Sequence, residues 1–195
     1  ILLVSIPMKN HSRNQLAQHI GILFQEGLSS LPATVFETVL LGRHPHHTSL
    51  IKDSRNDLQM VDSILDELGL DALKERKLHT LSGGELQRVS IALVLAQDPN
   101  IFLLDEPTNH LDLRTIEWLE RELVERRKTL LVISHDRAFL EAVTTNTFWM
   151  DRGKLRHNNK GYGALDSWTE QIADAESKSA QKLDQKLKAE ARWLE

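Results

Sequence analysis

Two carboxylates stand side by side at the end of an unbroken apolar run, Ile101-Phe102-Leu103-Leu104-Asp105-Glu106. Four consecutive apolar residues predict a short strand buried on both faces, as in a parallel sheet. The acids then fall at its carboxyl end, where open α/β sheets place their ligands. There one carboxylate can hold Mg²⁺, usually through water, and the next can orient or deprotonate an attacking water. An ordinary strand-end turn would read the same way, so the pair by itself is only suggestive.

A second group is Leu81-Ser82-Gly83-Gly84-Glu85. Ser82 and Glu85 have the spacing of a capping box, which starts a helix. The two glycines between them let another backbone or a phosphate come close, and the exposed amides of a helix start attract anions. A plain cap accounts for Ser-x-x-Glu but not for the paired glycines followed by Gln87 and Arg88. The third group, Ser134-His135-Asp136, directly follows the apolar run 129–133. A strand-end histidine near a carboxylate pair could contact a terminal phosphate or the attacking water. A histidine without that context is more often structural.

These groups need elements to hold them. Residues 2–6 predict a strand cut short at Pro7. Ser12 can cap a short helix reaching His19, and 20–24 is a second short apolar run. Residues 34–41 predict a helix with Val35, Val39 and Leu40 on one face, and 43–52 a histidine-rich loop. Residues 54–68 carry apolar side chains at 58, 61, 64, 65 and 68, a helical period. Gly69 stops that helix, 71–75 adds a turn, and Ser82 opens a helix to 96. Then the pattern alternates: strand 101–104, helix 113–126 with Ile116, Leu119 and Leu123 inward, buried strand 129–133, helix 137–143. Strand 147–150 turns through Asp151-Arg152-Gly153 into 154–156. Strand–helix alternation predicts a parallel α/β sheet. Residues 33–97, nearly all helical, predict a helical subdomain set into it. From Leu165 on, Trp168, Ile172, Ala175, Leu183, Leu187, Ala191 and Leu194 recur at three- and four-residue steps among charges, the pattern of a long amphipathic helix.

Composition sets outer limits. The 195 residues are 41% hydrophobic, with a net charge of −4 and a pI near 6.2. That is enough apolar material for a core, and it carries no global basic field of the kind that draws nucleic acid. Cysteine is absent, which excludes a disulfide scaffold and a thiolate metal site and suits a reducing cytosol. A cytoplasmic location is expected, and no stretch approaches the roughly 20 apolar residues that span a bilayer. The opening ILLVSIP lacks a basic flank and a small-residue cleavage site, and no initiator Met precedes it.

The order and spacing of the three groups resemble the ATP-binding cassette (ABC) ATPases over residues 1–160. LSGGELQR at 81–88 is similar to the family's signature motif and IFLLDEP at 101–107 to its Walker B. TNHLD at 108–112 is similar to the D-loop and ISHD at 133–136 to the switch-histidine region. Gln25 sits where the Q-loop glutamine falls. The resemblance implies an α/β, P-loop NTPase-like cassette, N-terminally truncated, with a C-terminal long helix. It implies ATP and Mg²⁺ as ligands, with Asp105 and Gln25 at the metal. Glu106 is implied as general base or water-orienting group and His135 as a γ-phosphate contact. Ser82, Gly83, Gly84 and Glu85 would face the nucleotide of a second, head-to-tail cassette, and Asp112 would help join the halves.

Two departures qualify the resemblance. The phosphate loop G-x-x-x-x-G-K-[ST] occurs nowhere, and the sole Gly-Lys pair, Gly153-Lys154, reads as a hairpin turn. That loop supplies amides and a lysine to the phosphates, so these residues alone are expected to bind ATP poorly and hydrolyse little. The subfamily signal is also split. TVFETVLLGRHPH at 34–46 is similar to cassettes of metal-chelate and cobalamin importers. From Thr108 the chain resembles the ABC-F class, Uup type, with 161–195 as the start of an inter-cassette linker. Three functions follow: an ABC-F ATPase acting on ribosome or nucleic acid, the ATPase subunit beside a membrane permease, or an inactive cassette. His44, His46 and His47 crowd a loop without metal-ligand spacing. Trp149, Trp168 and Trp193 read as packing anchors.

Overall fold

The computed structural model describes residues 2–3, 5–24, 28, 30–47 and 54–191. Packing divides the chain into two units, Ile1–Val143 and Thr144–Glu195.

In the first unit a tiny antiparallel hairpin, β1 (Leu2–Leu3) with β2 (Ile6–Pro7), takes the place of the single strand expected over 2–6. Ser5 at φ 65° reverses the chain there, and Pro7, which has no N–H to donate, suits only an edge. Helix α1 (Arg13–His19) leads into β3 (Ile20–Leu23). Helices α2 (Val35–Leu40), α3 (Arg55–Glu67) and α4 (Gly83–Gln97) follow, then β4 (Ile101–Asp105). Next come α5 (Leu113–Arg126), β5 (Thr129–Ile133) and α6 (Arg137–Val143). Strands β3, β4 and β5 form one sheet in that order, all parallel, with Ile22, Leu103 and Leu131 in register. Every regular element of the described residues between the adjacent strands β3 and β4 is helical.

Four helices begin with the same local chemistry. Ser12 with Gln15, Thr34 with Glu37, Ser54 with Asp57 and Ser82 with Glu85 each form a reciprocal capping box. Each box satisfies two backbone donors that a helix start otherwise leaves open. Gly69, at φ 64°, turns the chain out of α3 in the left-handed region that an L side chain resists.

The helical layer is filled by Val35, Val39, Val61, Leu65, Leu70 and Val89, all with no measurable exposure. Burying each such side chain contributes about 1.5–3 kcal/mol. A polar knot adds to it. Asp57 is 7% exposed and accepts from Arg43 Nε at 2.7 Å and Ser54 Oγ at 2.5 Å, with His47 Nε2 at 3.0 Å. Arg43 also donates to the carbonyl of Ala96, tying the knot to the end of α4. Burial pushes the Asp57 carboxyl upward, but the hydrogen bonds from Ser54, Arg43 and His47 outweigh it and hold the carboxyl far below its ordinary value. The segment expected as a histidine-rich loop is a 3-10 helix over Leu41–His46. Two of its histidines make structural contacts: His46 Nε2 lies 2.8 Å from the Gln97 carbonyl, and His47 is in the knot. Residues 48–52 of that segment lie outside the described residues.

The sheet departs from expectation in its burial. On one face, Leu23, Phe102 and Leu104 are buried against Ile91, Val94 and Leu95 of α4 and Leu119 and Leu123 of α5. On the other face Ile22, Leu131 and Ile133 are 43%, 53% and 63% exposed. Strand β5, expected buried on both faces, is therefore half open. Its apolar run reports strand propensity, not two-sided cover.

In the second unit, β6 (Thr147–Asp151) and β7 (Lys154–Asn158) form an antiparallel hairpin, followed by α7 (Leu165–Ala191). Trp149 meets Trp168 edge-on, with ring centroids 6.1 Å apart, and Arg156 pairs with Glu176. Trp149 and Trp168 thus do anchor packing, whereas Trp193 lies outside the described residues. Past Glu176, every side chain of α7 whose burial is described is exposed, Leu183 at 60%. Among the described residues no helix is long and apolar enough to cross a membrane.

Candidate functional site

The adjacent parallel strands β4 and β5 bring the carboxylate pair and the histidine together at their carboxyl ends. Asp105 is in register with Ile133. Glu106 follows at φ 49°, a left-handed backbone that a non-glycine residue keeps only when its surroundings hold it. Its own N–H donates to the Ile133 carbonyl at 2.8 Å. The side chain turns back into the site: Oε2 accepts from the His135 N–H at 3.2 Å, and Oε1 lies 3.5 Å from His135 Nε2. Glu106 is 7% exposed, whereas the His135 ring is fully exposed. The carboxylate is thus buried beneath a solvent-exposed imidazole ring. The Asp105 side chain makes no hydrogen bond or ion pair among the described residues. Ser134 Oγ accepts from the Asp136 N–H at 3.1 Å, and Asp136 Oδ1 accepts from the Phe139 N–H at 3.1 Å. These bonds fix the turn that presents His135.

The glycine group forms a second cluster with Asp112. Ser82 caps α4, its Oγ accepting from the Glu85 N–H at 3.3 Å while Glu85 Oε2 accepts from the Ser82 N–H at 2.7 Å. The backbone and side-chain hydrogen bonds from Ser82 hold the Glu85 carboxyl below its ordinary value. Ser82 and Gly83 are exposed, so this helix start faces solvent and not its own core. Gly84 answers a different need. A Cβ there would stand 2.6 Å from the His110 carbonyl oxygen, so the glycine lets α4 seat directly on the 108–112 segment of its own chain. Arg88 NH1 reaches Asp112 Oδ2 at 3.4 Å. Asp112 in turn caps α5, accepting from the Thr115 N–H at 3.0 Å, a bond that lowers its pKa first among several causes.

Gln87, noted after the paired glycines but given no role there, joins the two clusters. Gln87, 8% exposed, donates from Nε2 to the Pro107 carbonyl at 3.1 Å, one residue beyond Glu106. Its signal was available: one polar amide on the face of α4 that otherwise buries Ile91, Val94 and Leu95. A buried amide needs a partner, but the sequence does not say which carbonyl. Gln25 lies outside the described residues. Among those described, no group of three or more His, Cys, Asp or Glu is arranged to hold a metal ion unaided.

An open parallel sheet with acids at the carboxyl end of its middle strand and helices inserted before that strand is the P-loop NTPase-like architecture of the ABC cassette. Residues 1–109 match the ABC transporter family, and the chain belongs to it. A relative, ATP-binding protein Uup of Caulobacter vibrioides, is 44% identical over 130 residues, 67% of this chain and 21% of that protein. The petrobactin import ATP-binding protein FpuD of Bacillus anthracis is 39% identical over 140 residues, 70% of this chain and 51% of that protein. The chain thus spans a fifth to a half of these relatives. A dimeric ATP-binding cassette solved in a post-hydrolysis state with ADP and Pi superposes with a TM-score of 0.66 at 26% identity. The match covers 80% of this chain and 71% of that one.

Proposed function

We propose that residues 1–160 form part of a cassette that binds and hydrolyses ATP together with a second cassette, and that 161–195 begin a linker between them. One observation carries the reading: the buried Glu106 carboxylate, held by the His135 amide at the open end of β4. Glu106 orients or deprotonates the attacking water, and the exposed His135 contacts the γ-phosphate. The unpartnered Asp105 carboxylate, a hard oxygen donor, suits Mg²⁺ shared with water and phosphate oxygens. With Gln25 beside it, that ion would neutralise phosphate charge. Ser82, Gly83 and Glu85 present the capped start of α4 to the partner's nucleotide, and Asp112 holds the 108–112 segment at the junction. Likeness to a dimeric cassette bound to ADP and Pi supports this arrangement.

The Uup relative and the 27-residue α7, largely bare of packing, favour an ABC-F protein working in the cytoplasm on ribosome or nucleic acid. The FpuD relative favours the second reading, an import subunit beside a permease. A reading frame that runs on into a second LSGGE cassette supports the first, and a stop codon next to a permease gene the second. Without G-x-x-x-x-G-K-[ST], these 195 residues bind ATP weakly by themselves. Tight binding in equilibrium dialysis would defeat that statement. In a longer form carrying such a loop ahead of Ile1, Glu106→Gln lowers kcat by about 10²–10⁴-fold while ATP still binds. An unchanged kcat refutes the role given to Glu106.

A further inference from the structure

Away from the Glu106–His135 centre, α3, α4 and α5 border an open, solvent-facing cavity of about 390 Å³. Its wall includes Arg88, Arg114, Arg121, Trp118, Glu67 and Asp112. Arg114, Trp118 and Arg121 follow one another at four- and three-residue steps, which puts all three on one stripe of α5. The charges do not cancel. Asp112 is engaged by Arg88 and by the Thr115 backbone and hydroxyl, and Glu67 accepts from Ser63. Arg114 and Arg121 make no ion pair among the described residues, and the single contact Arg121 makes is from Nε to the Glu117 carbonyl at 3.4 Å. The grip on Arg88 is also loose: one 3.4 Å contact to Asp112, with Nε buried and unpartnered.

Guanidinium groups left without carboxylates in a concave site seek a planar or tetrahedral oxyanion that can accept several N–H bonds at once. Trp118 adds a flat apolar wall. A volume near the lower end of the range for small-molecule sites fits a ligand of mononucleotide size.

We propose that this cavity binds a small phosphate-bearing ligand, its phosphoryl oxygens held by Arg114 and Arg121 and its flat apolar part against Trp118. Arg88 is the third donor, and its capture by the ligand would loosen the tie between α4 and Asp112. The site lies outside the Glu106–His135 centre and needs none of its residues.

The test titrates the full chain with AMP, following Trp fluorescence and calorimetry. Saturable binding is expected, displaced by inorganic phosphate but not by acetate. Removing both arginines in Arg114→Ala/Arg121→Ala weakens it by about tenfold or more, since both charge-assisted donors to the phosphoryl group are lost. Arg114→Lys/Arg121→Lys, which keeps the charge but not the fork, gives an intermediate loss. Trp118→Phe removes the fluorescence response while calorimetric binding persists. Both arginines are exposed on the helix surface, so the variants are expected to melt with the parent. AMP binding of equal strength in the parent and the double alanine variant overturns the proposal, as does no binding by the parent at millimolar AMP.

Discussion

The helical layer between β3 and β4 and the three-stranded sheet it interrupts use their apolar residues differently. In the layer, Val35, Val39, Val61 and Leu65 are sealed, and the Asp57 knot fastens α3 to the 41–46 turn and to the end of α4. In the sheet, one face is sealed by α4 and α5 while Leu131 and Ile133 on the other stay more than half exposed. The layer is a finished core. The sheet is a platform with one face packed, an open edge of chemistry at its carboxyl end, and an open apolar face. The length of an apolar run therefore does not by itself fix how much burial it contributes.

The strongest way to break that comparison is at the knot. Asp57→Ala removes the carboxylate that Arg43 donates to and is expected to cost about 3–5 kcal/mol in urea unfolding. Because the Asp57 carboxyl is held below its ordinary value of 3.8 in the folded chain, its contribution is full above that value. It is lost as the pH falls below it toward the folded-state value. The variant should therefore lose stability at neutral pH and show a flatter acid limb than the parent. A cost under about 1 kcal/mol would mean that burial of the carboxylate cancels its hydrogen bonds. Next in size is Leu65→Ala in the sealed layer, at about 2–5 kcal/mol for a fully buried leucine. Smallest is Leu131→Ala on the open face, within about 0.5 kcal/mol. If Leu131→Ala costs as much as Leu65→Ala by the same measurement, that face is covered in the protein under test and the contrast fails.

The parts of the fold legible in the sequence share one property: they are local. The four capping boxes span four residues each, the helical period of 54–68 needs one helix, and the Asp151-Arg152-Gly153 turn is its own signal. The strand expected over 2–6 failed because a left-handed Ser5 carries no pattern. Two-sided burial of β5 failed because an apolar run does not reveal what lies across it. The carboxylate pair, the glycine-flanked cap and the strand-end histidine were each visible as types, while Gln87 was visible as a residue but its partner, the Pro107 carbonyl, was not.

By itself the sequence determined where helices start, which strands are apolar, and that two acids follow one strand and a histidine the next. Short-range hydrogen bonds and side-chain volume act within a few residues, so the order of residues suffices for them. Only the tertiary structure decided that β4 and β5 are neighbours and that the Glu106 carboxylate meets the His135 amide. It alone placed Gly84 against the His110 carbonyl, and Gln87 against that of Pro107. Those contacts join residues 20 or more positions apart, and they form only after the chain has closed its loops and packed one helix layer against one face of a sheet.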